Sequence, residues 1–284
     1  MNRLARLSPT TPSHTIAAMA AACAVYLSAE GAQFVTLNSG NSSASIDLGS
    51  QAGMNQWLIN GQSQLQQQWF WYRVGNSGPQ HSIDTIGGMT ETHNANSVDA
   101  TYNHGDFSIE LTYTLTGGAA GGNDWTSDIT ENITINNLTS SPLDFHFFQY
   151  SDFALAGSQG GETASIFQSG GFFSRAKVMK AANQLSETID QPLANRAEAD
   201  IGPNTLNRLN GGFYNLNNTL NSGPDPSQDA TWALQWDFTI DPNGSVDVIK
   251  DKKLSVAPVP EPGAVSFALL GLAAFFLRRN RSRS

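Results

Sequence analysis

From Phe107 to Leu115 apolar and polar residues alternate without a break: Phe107, Ile109, Leu111, Tyr113 and Leu115 against Ser108, Glu110, Thr112 and Thr114. A period of two puts each set on its own face of a strand, so this segment must cover a core with one side only. Asn103-His104-Gly105-Asp106 before it has the chemistry of a hairpin turn from a strand near 97–102. The same parity recurs in Ile129, Ile133 and Ile135, and again in Leu143, Phe145, Phe147, Phe153 and Leu155. Trp232, Leu234, Trp236, Phe238 and Ile240 form the clearest late strand, and Asp241-Pro242-Asn243-Gly244 turns it into a last one at 245–250. Repeated strands joined by Gly, Pro and Asn turns predict a mainly β chain folded as an antiparallel β-sandwich.

The stretch 174–209 does not keep this period. Val178, Leu185 and Ile189 lie roughly on one helical face, which predicts a short helix over 176–188 ended by Pro192. A second short helix is expected over 204–209. Together they form a helical insertion over one side or end of the sandwich.

Both termini have the pattern of export signals. Arg3 and Arg6 precede the apolar run 16–27, and small residues follow in Ser28-Ala29-Glu30-Gly31-Ala32. Residues 1–31 therefore read as a signal peptide, an apolar helix removed after Gly31 or, alternatively, after Ala29. The single cysteine, Cys23, lies inside it, so the processed chain has no thiol for a disulfide or a nucleophile. At the other end stand Val259-Pro260-Glu261-Pro262-Gly263, an apolar helix over 264–277, and Arg278, Arg279, Arg281 and Arg283. That helix would rise about 21 Å at roughly 1.5 Å per residue. A bilayer core is roughly 30 Å thick, so the segment is short for a permanent span. The arginines after it leave the extreme C-terminus in the cytoplasm and the body outside.

A Pro-Glu-Pro motif, an apolar run and an arginine cluster in this order resemble the PEP-CTERM sorting signal of exopolysaccharide-producing bacteria. That signal is also labelled an ice-binding protein C-terminal domain, a label that is no evidence of ice binding. The resemblance implies passage through the Sec translocon, transient insertion in the inner membrane, and processing by an exosortase, a membrane protease. Residues 257–284 are then the sorting signal, and 32–256 the sandwich domain. Within the body, Asp128–Leu138, Leu143–Phe153, Gly202–Leu209 and Thr231–Thr239 are similar to a group of PEP-CTERM proteins, a resemblance that implies no activity.

Setting aside Arg3, Arg6, the four tail arginines and Glu30 leaves 9 basic and 23 acidic residues of the chain's 15 and 24, a net charge of −14. Nucleic-acid partners need basic patches, and this balance excludes them.

Chemistry is harder to place. Trp69-Phe70-Trp71-Tyr72 alternates two aromatic pairs; if Trp69 and Trp71 face water, they make a platform for sugar rings. If both faces are covered, the run is a central core strand. Glu131 shares the parity of Ile129, Ile133 and Ile135, and a carboxylate on an apolar face is paired, bulged or tuned. His81, His93 and His104, with Asp84, Glu91, Asp99 and Asp106, have no metal-site spacing, and His146 reads as a sheet-surface histidine. Asp241, Asn243, Ser245 and Asp247 alternate like half a calcium loop, but Lys252 stands where the closing glutamate would be. Hydrolase signatures are missing. The expectation is thus a cell-envelope protein without catalysis, cofactor or metal, structural or adhesive in the extracellular polysaccharide. The alternatives are a carbohydrate-binding module using Trp69 and Trp71, and a glycoside-active enzyme with facing carboxylates.

Overall fold

The computed structural model describes residues 34–121 and 123–258. Eighteen strands follow one another in these residues. They are β1 (Phe34–Ser39), β2 (Ser42–Asp47), β3 (Gly53–Ile59), β4 (Gln62–Ser63), β5 (Gln67–Val74) and β6 (His81–Ser82). Next come β7 (Thr90–His93), β8 (Ser97–Asn103), β9 (Phe107–Gly117), β10 (Thr126–Asn137), β11 (Leu143–Asp152) and β12 (Thr163–Ser169). The last are β13 (Phe172–Lys180), β14 (Asn183–Gln191), β15 (Arg196–Ile201), β16 (Asn221–Ser222), β17 (Ala230–Ile240) and β18 (Ser245–Ser255). One α-helix, α1 (Asn204–Gly211), lies between β15 and β16.

The strands build two sheets. The first runs β1-β2-β3-β5-β11-β17-β15, with β4 on β3 and β6 on β5. The second runs β16-β12-β13-β14-β18-β10-β9-β8-β7. This is the two-sheet, mainly β sandwich that the alternation predicts. Phe70, Tyr72 and Phe145 of the first sheet meet Tyr113 and Phe107 of the second, with Phe107 and Phe145 edge-on at 5.1 Å, and Phe147 stacks on Phe70.

The predicted helix over 176–188 is instead the hairpin β13–β14, with Ala181 at φ 52° in its two-residue turn. Its period is two: Leu185, Glu187 and Ile189 are all buried. Glu187 hid that alternation, because a buried carboxylate reads as polar, and Leu185 and Ile189 then matched a helical i, i+4 pair. The second expected helix is present as α1.

Glu187 belongs to a charged group in the middle of the core. Lys250 Nζ lies 2.5 Å from Glu131 Oε2 and 3.4 Å from Glu187 Oε1, and also bonds Gln149. Lys252 bonds Glu131 and stands 3.2 Å from Glu187. Trp232 Nε1 and Gln149 Nε2 donate to Glu187 at 2.7 and 2.8 Å. All four charged side chains are buried, and two cations balance two anions. Glu131 is therefore paired, which is how a carboxylate survives on an apolar face.

β18 is the last described strand, and it sits between β14 and β10 near the centre of its sheet. Beyond it Val256 N donates to Trp125 O at 2.9 Å and Ala257 N to Asn183 Oδ1 at 2.7 Å. The signal peptide, Val259–Gly263, the 264–277 segment and Arg278, Arg279, Arg281 and Arg283 lie outside the described residues. Among the described residues no helix is long and apolar enough to cross a membrane.

Candidate functional site

The outer face of the first sheet carries the side chains of opposite parity to the core. On β11 these are Asp144, His146, Phe148 and Tyr150; on β5, Trp69, Trp71 and Arg73; on β17, Gln235 and Asp237. Antiparallel register makes Arg73, His146 and Asp237 direct neighbours across three strands. Cross-strand neighbours of this kind stand within side-chain reach.

His146 Nδ1–H donates to Asp237 Oδ1 at 2.6 Å. Gln235 Nε2 donates to the same oxygen at 2.7 Å. Burial raises the proton affinity of Asp237, but the bonds from His146 and Gln235 outweigh it and hold the carboxyl below its ordinary range. An ionised Asp237 fixes the orientation of the ring through its Nδ1–H. That Nε2 is buried and has no hydrogen-bond partner; Asp144 Oδ1 lies 3.6 Å away. Beside it opens a cleft of 260 Å³ lined by Asn76, Asp144, His146, Arg196, Asn215 and Asp237, with Phe238 and Thr239.

Arg73 supports one wall. Its guanidinium donates to Tyr214 O at 3.1 Å and Asn215 Oδ1 at 2.9 Å, which pins the chain after α1 over the sheet. Phe213 stacks on it at 4.6 Å and is 54 % exposed. Arg196, on the sheet edge, keeps a half-exposed guanidinium 4.0 Å from Asp237. The cleft thus combines planar hydrogen-bonding groups of both charges with a neighbouring exposed aromatic ring.

Trp69 and Trp71 point to this same outer face but are fully buried. Trp69 Nε1 donates to Asp84 at 2.9 Å under the 83–85 turn, and Trp71 Nε1 donates to Asn210 of α1 at 3.0 Å. Neither indole offers a face to a sugar ring, so the sequence-based platform is corrected. The helix that the sequence did reveal is the roof over Trp71.

His81 and His104 come together with Asp106 and Tyr72 around a separate hollow of 270 Å³, whereas His93 does not line it and bonds Glu91 on β7. Among the described residues no three His, Cys, Asp or Glu side chains form a metal-holding group. Asp241 and Asn243 belong to a hairpin turn closed by Gly244 N to Asp241 O at 2.9 Å, and Asp247 accepts from Thr134 at 2.7 Å. Carboxyls do gather elsewhere. Asp152 and Asp229 line a hollow of 280 Å³, and Asp229 also stands against Glu162. Burial, then the charge of Asp229, pushes Asp152 up to about 7. Burial raises Glu162 to about 7 despite its bond from Lys180.

His146 read from its parity as a sheet-surface histidine, and it does lie on the outer face; Asp237 was passed over because it sits between the bulky residues Trp236 and Phe238. Their parity was the available signal: with Asp144, they are the polar members of alternating strands on one outer face.

No curated protein matches the chain. Solved structures do match in fold. A galactose mutarotase-like protein from Lactobacillus casei is 9% identical over 78% of this chain and 99% of that one, with a TM-score of 0.50. A galactose mutarotase related enzyme from Lactobacillus acidophilus is 7% identical over 80% and 99%, at 0.51. A bacterial glucoamylase solved with acarbose is 8% identical over 84% of this chain and 34% of that chain, at 0.53. At such identities the likeness is one of fold. It nevertheless corrects the expectation of a body without catalysis, because this is a fold on which enzymes are built. The absent signatures on which that expectation rested belong to other scaffolds. The model of the PEP-CTERM protein-sorting motif matches residues 258–282, so the chain carries the sorting signal of an exported protein that an exosortase processes at the cell envelope.

Proposed function

We propose that the protein is an exported, envelope-held carbohydrate-handling domain that works in the extracellular polysaccharide and takes a sugar in the cleft at His146. The observation that supports this best is His146 itself. Its Nδ1 is fixed by Asp237 while its Nε2, buried and without a partner, borders a polar cleft. A buried ring nitrogen without a partner is costly unless a ligand group completes it. Asn76, Asn215, Arg196 and Asp144 supply the donors and acceptors that sugar hydroxyls need, and Phe213 a ring face beside them. With Nε2 as base and Asp237 stabilising the imidazolium, the pair can also move a proton to or from a bound hydroxyl. The names of the fold relatives make anomer interconversion the first reaction to assay.

The test is titration of the purified body, residues 33–257, with a panel of mono- and oligosaccharides followed by NMR, together with a polarimetric assay of anomer interconversion. Saturable binding that His146→Ala weakens at least tenfold supports the reading. Binding by wild type that is indifferent to His146→Ala and Asp237→Asn would move the site elsewhere, and no binding by folded protein would end the proposal.

A further inference from the structure

The two ends of the sandwich are not equivalent, and the difference bears on how the anchored protein is held. β10 and β18 pair Asn136 with Ser245 at one end and Thr126 with Ser255 at the other. The sugar cleft belongs to the first end. Asn137 Nδ2 donates to Ile240 O at 3.0 Å, Leu143 pairs with Ile240, and Asp144, His146 and Asp237 follow within a few residues. The chain leaves the body at the second end, where Ala257 is bonded to Asn183. β18 alone covers eleven residues between them. At about 3.3 Å per residue, the cleft and the exit are roughly 30 Å apart.

Only Pro258 to Gly263 separate that exit from the apolar run at 264–277. Fully extended, six residues reach about 20 Å, and Pro260 and Pro262 stiffen them. The turns around Ala257 are Gly40–Asn41, Asn60–Gly61, Gly117–Trp125 and Lys180–Asn183.

We infer that, while its tail is in the membrane, the body stands on the Gly117–Trp125 and Lys180–Asn183 end against the lipid surface and holds the cleft roughly 30 Å further out, open to the surrounding polysaccharide. This rests on the sorting reading of the tail and is independent of which ligand the cleft takes.

The test is the full chain lacking residues 1–31, reconstituted in nanodiscs whose lipids carry a headgroup quencher. Removal of the signal peptide takes away Cys23, so a single exposed cysteine can be placed at Ala182→Cys or at Ser140→Cys and labelled with a fluorophore. The label at Ala182 should be quenched several-fold relative to the same protein in unquenched discs, and the label at Ser140 should be unaffected. Equal quenching at both sites, or stronger quenching at Ser140, would overturn the orientation. Protein that does not co-migrate with the discs would overturn it through the sorting reading, while leaving sugar binding by the isolated body untouched.

Discussion

Lys250 reaches Glu131, Glu187 and Gln149 with one ammonium, in a core from which water is excluded. Removing one partner of a buried pair leaves an uncompensated charge, at a cost of about 3–5 kcal/mol. Lys250→Met should lose about that much in urea unfolding. The double variant Lys250→Met, Glu131→Leu keeps the Lys252–Glu187 pair at 3.2 Å and should recover most of the loss. A double variant no better than the sum of its parts would mean that the network is not coupled. Trp71→Ala should cost about 3–5 kcal/mol as a core truncation. If sugar binding by the folded variant fell while the unfolding midpoint stayed put, the buried reading of that indole would be wrong. Glu131 stood out in the sequence as a carboxylate among isoleucines. Its partners did not, because Lys250 and Lys252 lie on a strand 119 and 121 residues away and look like surface lysines beside Asp251 and Lys253.

At the scale of elements, strand period carried the sandwich, and buried charge obscured it where it failed. β9 and β17 were plain because the inner faces are uniformly apolar. The β13–β14 hairpin was not, since Glu187 interrupts its inner face and its turn uses Lys180-Ala181-Ala182-Asn183 in place of Asn-Gly. Ala181 holds a left-handed φ of 52°, which an alanine adopts at a cost of about 1–2 kcal/mol. Ala181→Gly should therefore stabilise the protein by about 1 kcal/mol, read from the urea midpoint; destabilisation would show that the turn conformation is otherwise determined. The candidate cleft escaped notice for a related reason. Its members come from β5, β11, β15 and β17, and only the register of the folded sheet makes Arg73, His146 and Asp237 adjacent.

The molecule as a whole should show an acid-side optimum of stability. Asp152 and Glu162 are raised to about 7, so between their unfolded values near 4 and pH 7 the native state binds more protons than the unfolded one. Stability then falls as pH rises through that window. For Glu187 burial is overridden by the charges of Lys252 and Lys250, which hold it at about 2, and Asp237 is also lowered. Those groups contribute stability that is present above pH 4 and lost as pH falls towards 2. Urea midpoints measured from pH 3 to 9 should peak between about 4 and 6, and Asp152→Asn should flatten the alkaline limb. A midpoint that keeps rising to pH 8 would contradict the buried acids at the Asp229 hollow. A slower event follows from the place of β18, the last described strand and a neighbour of both β14 and β10. In a chain exported N-terminus first, Glu131 and Glu187 emerge well before the lysines that neutralise them, and the second sheet stays split until β18 arrives. The sorting motif begins three residues after β18. Completion of the core and arrival of the tail at the membrane are thus one moment, and a chain stalled before β18 would have neither a closed body nor an address.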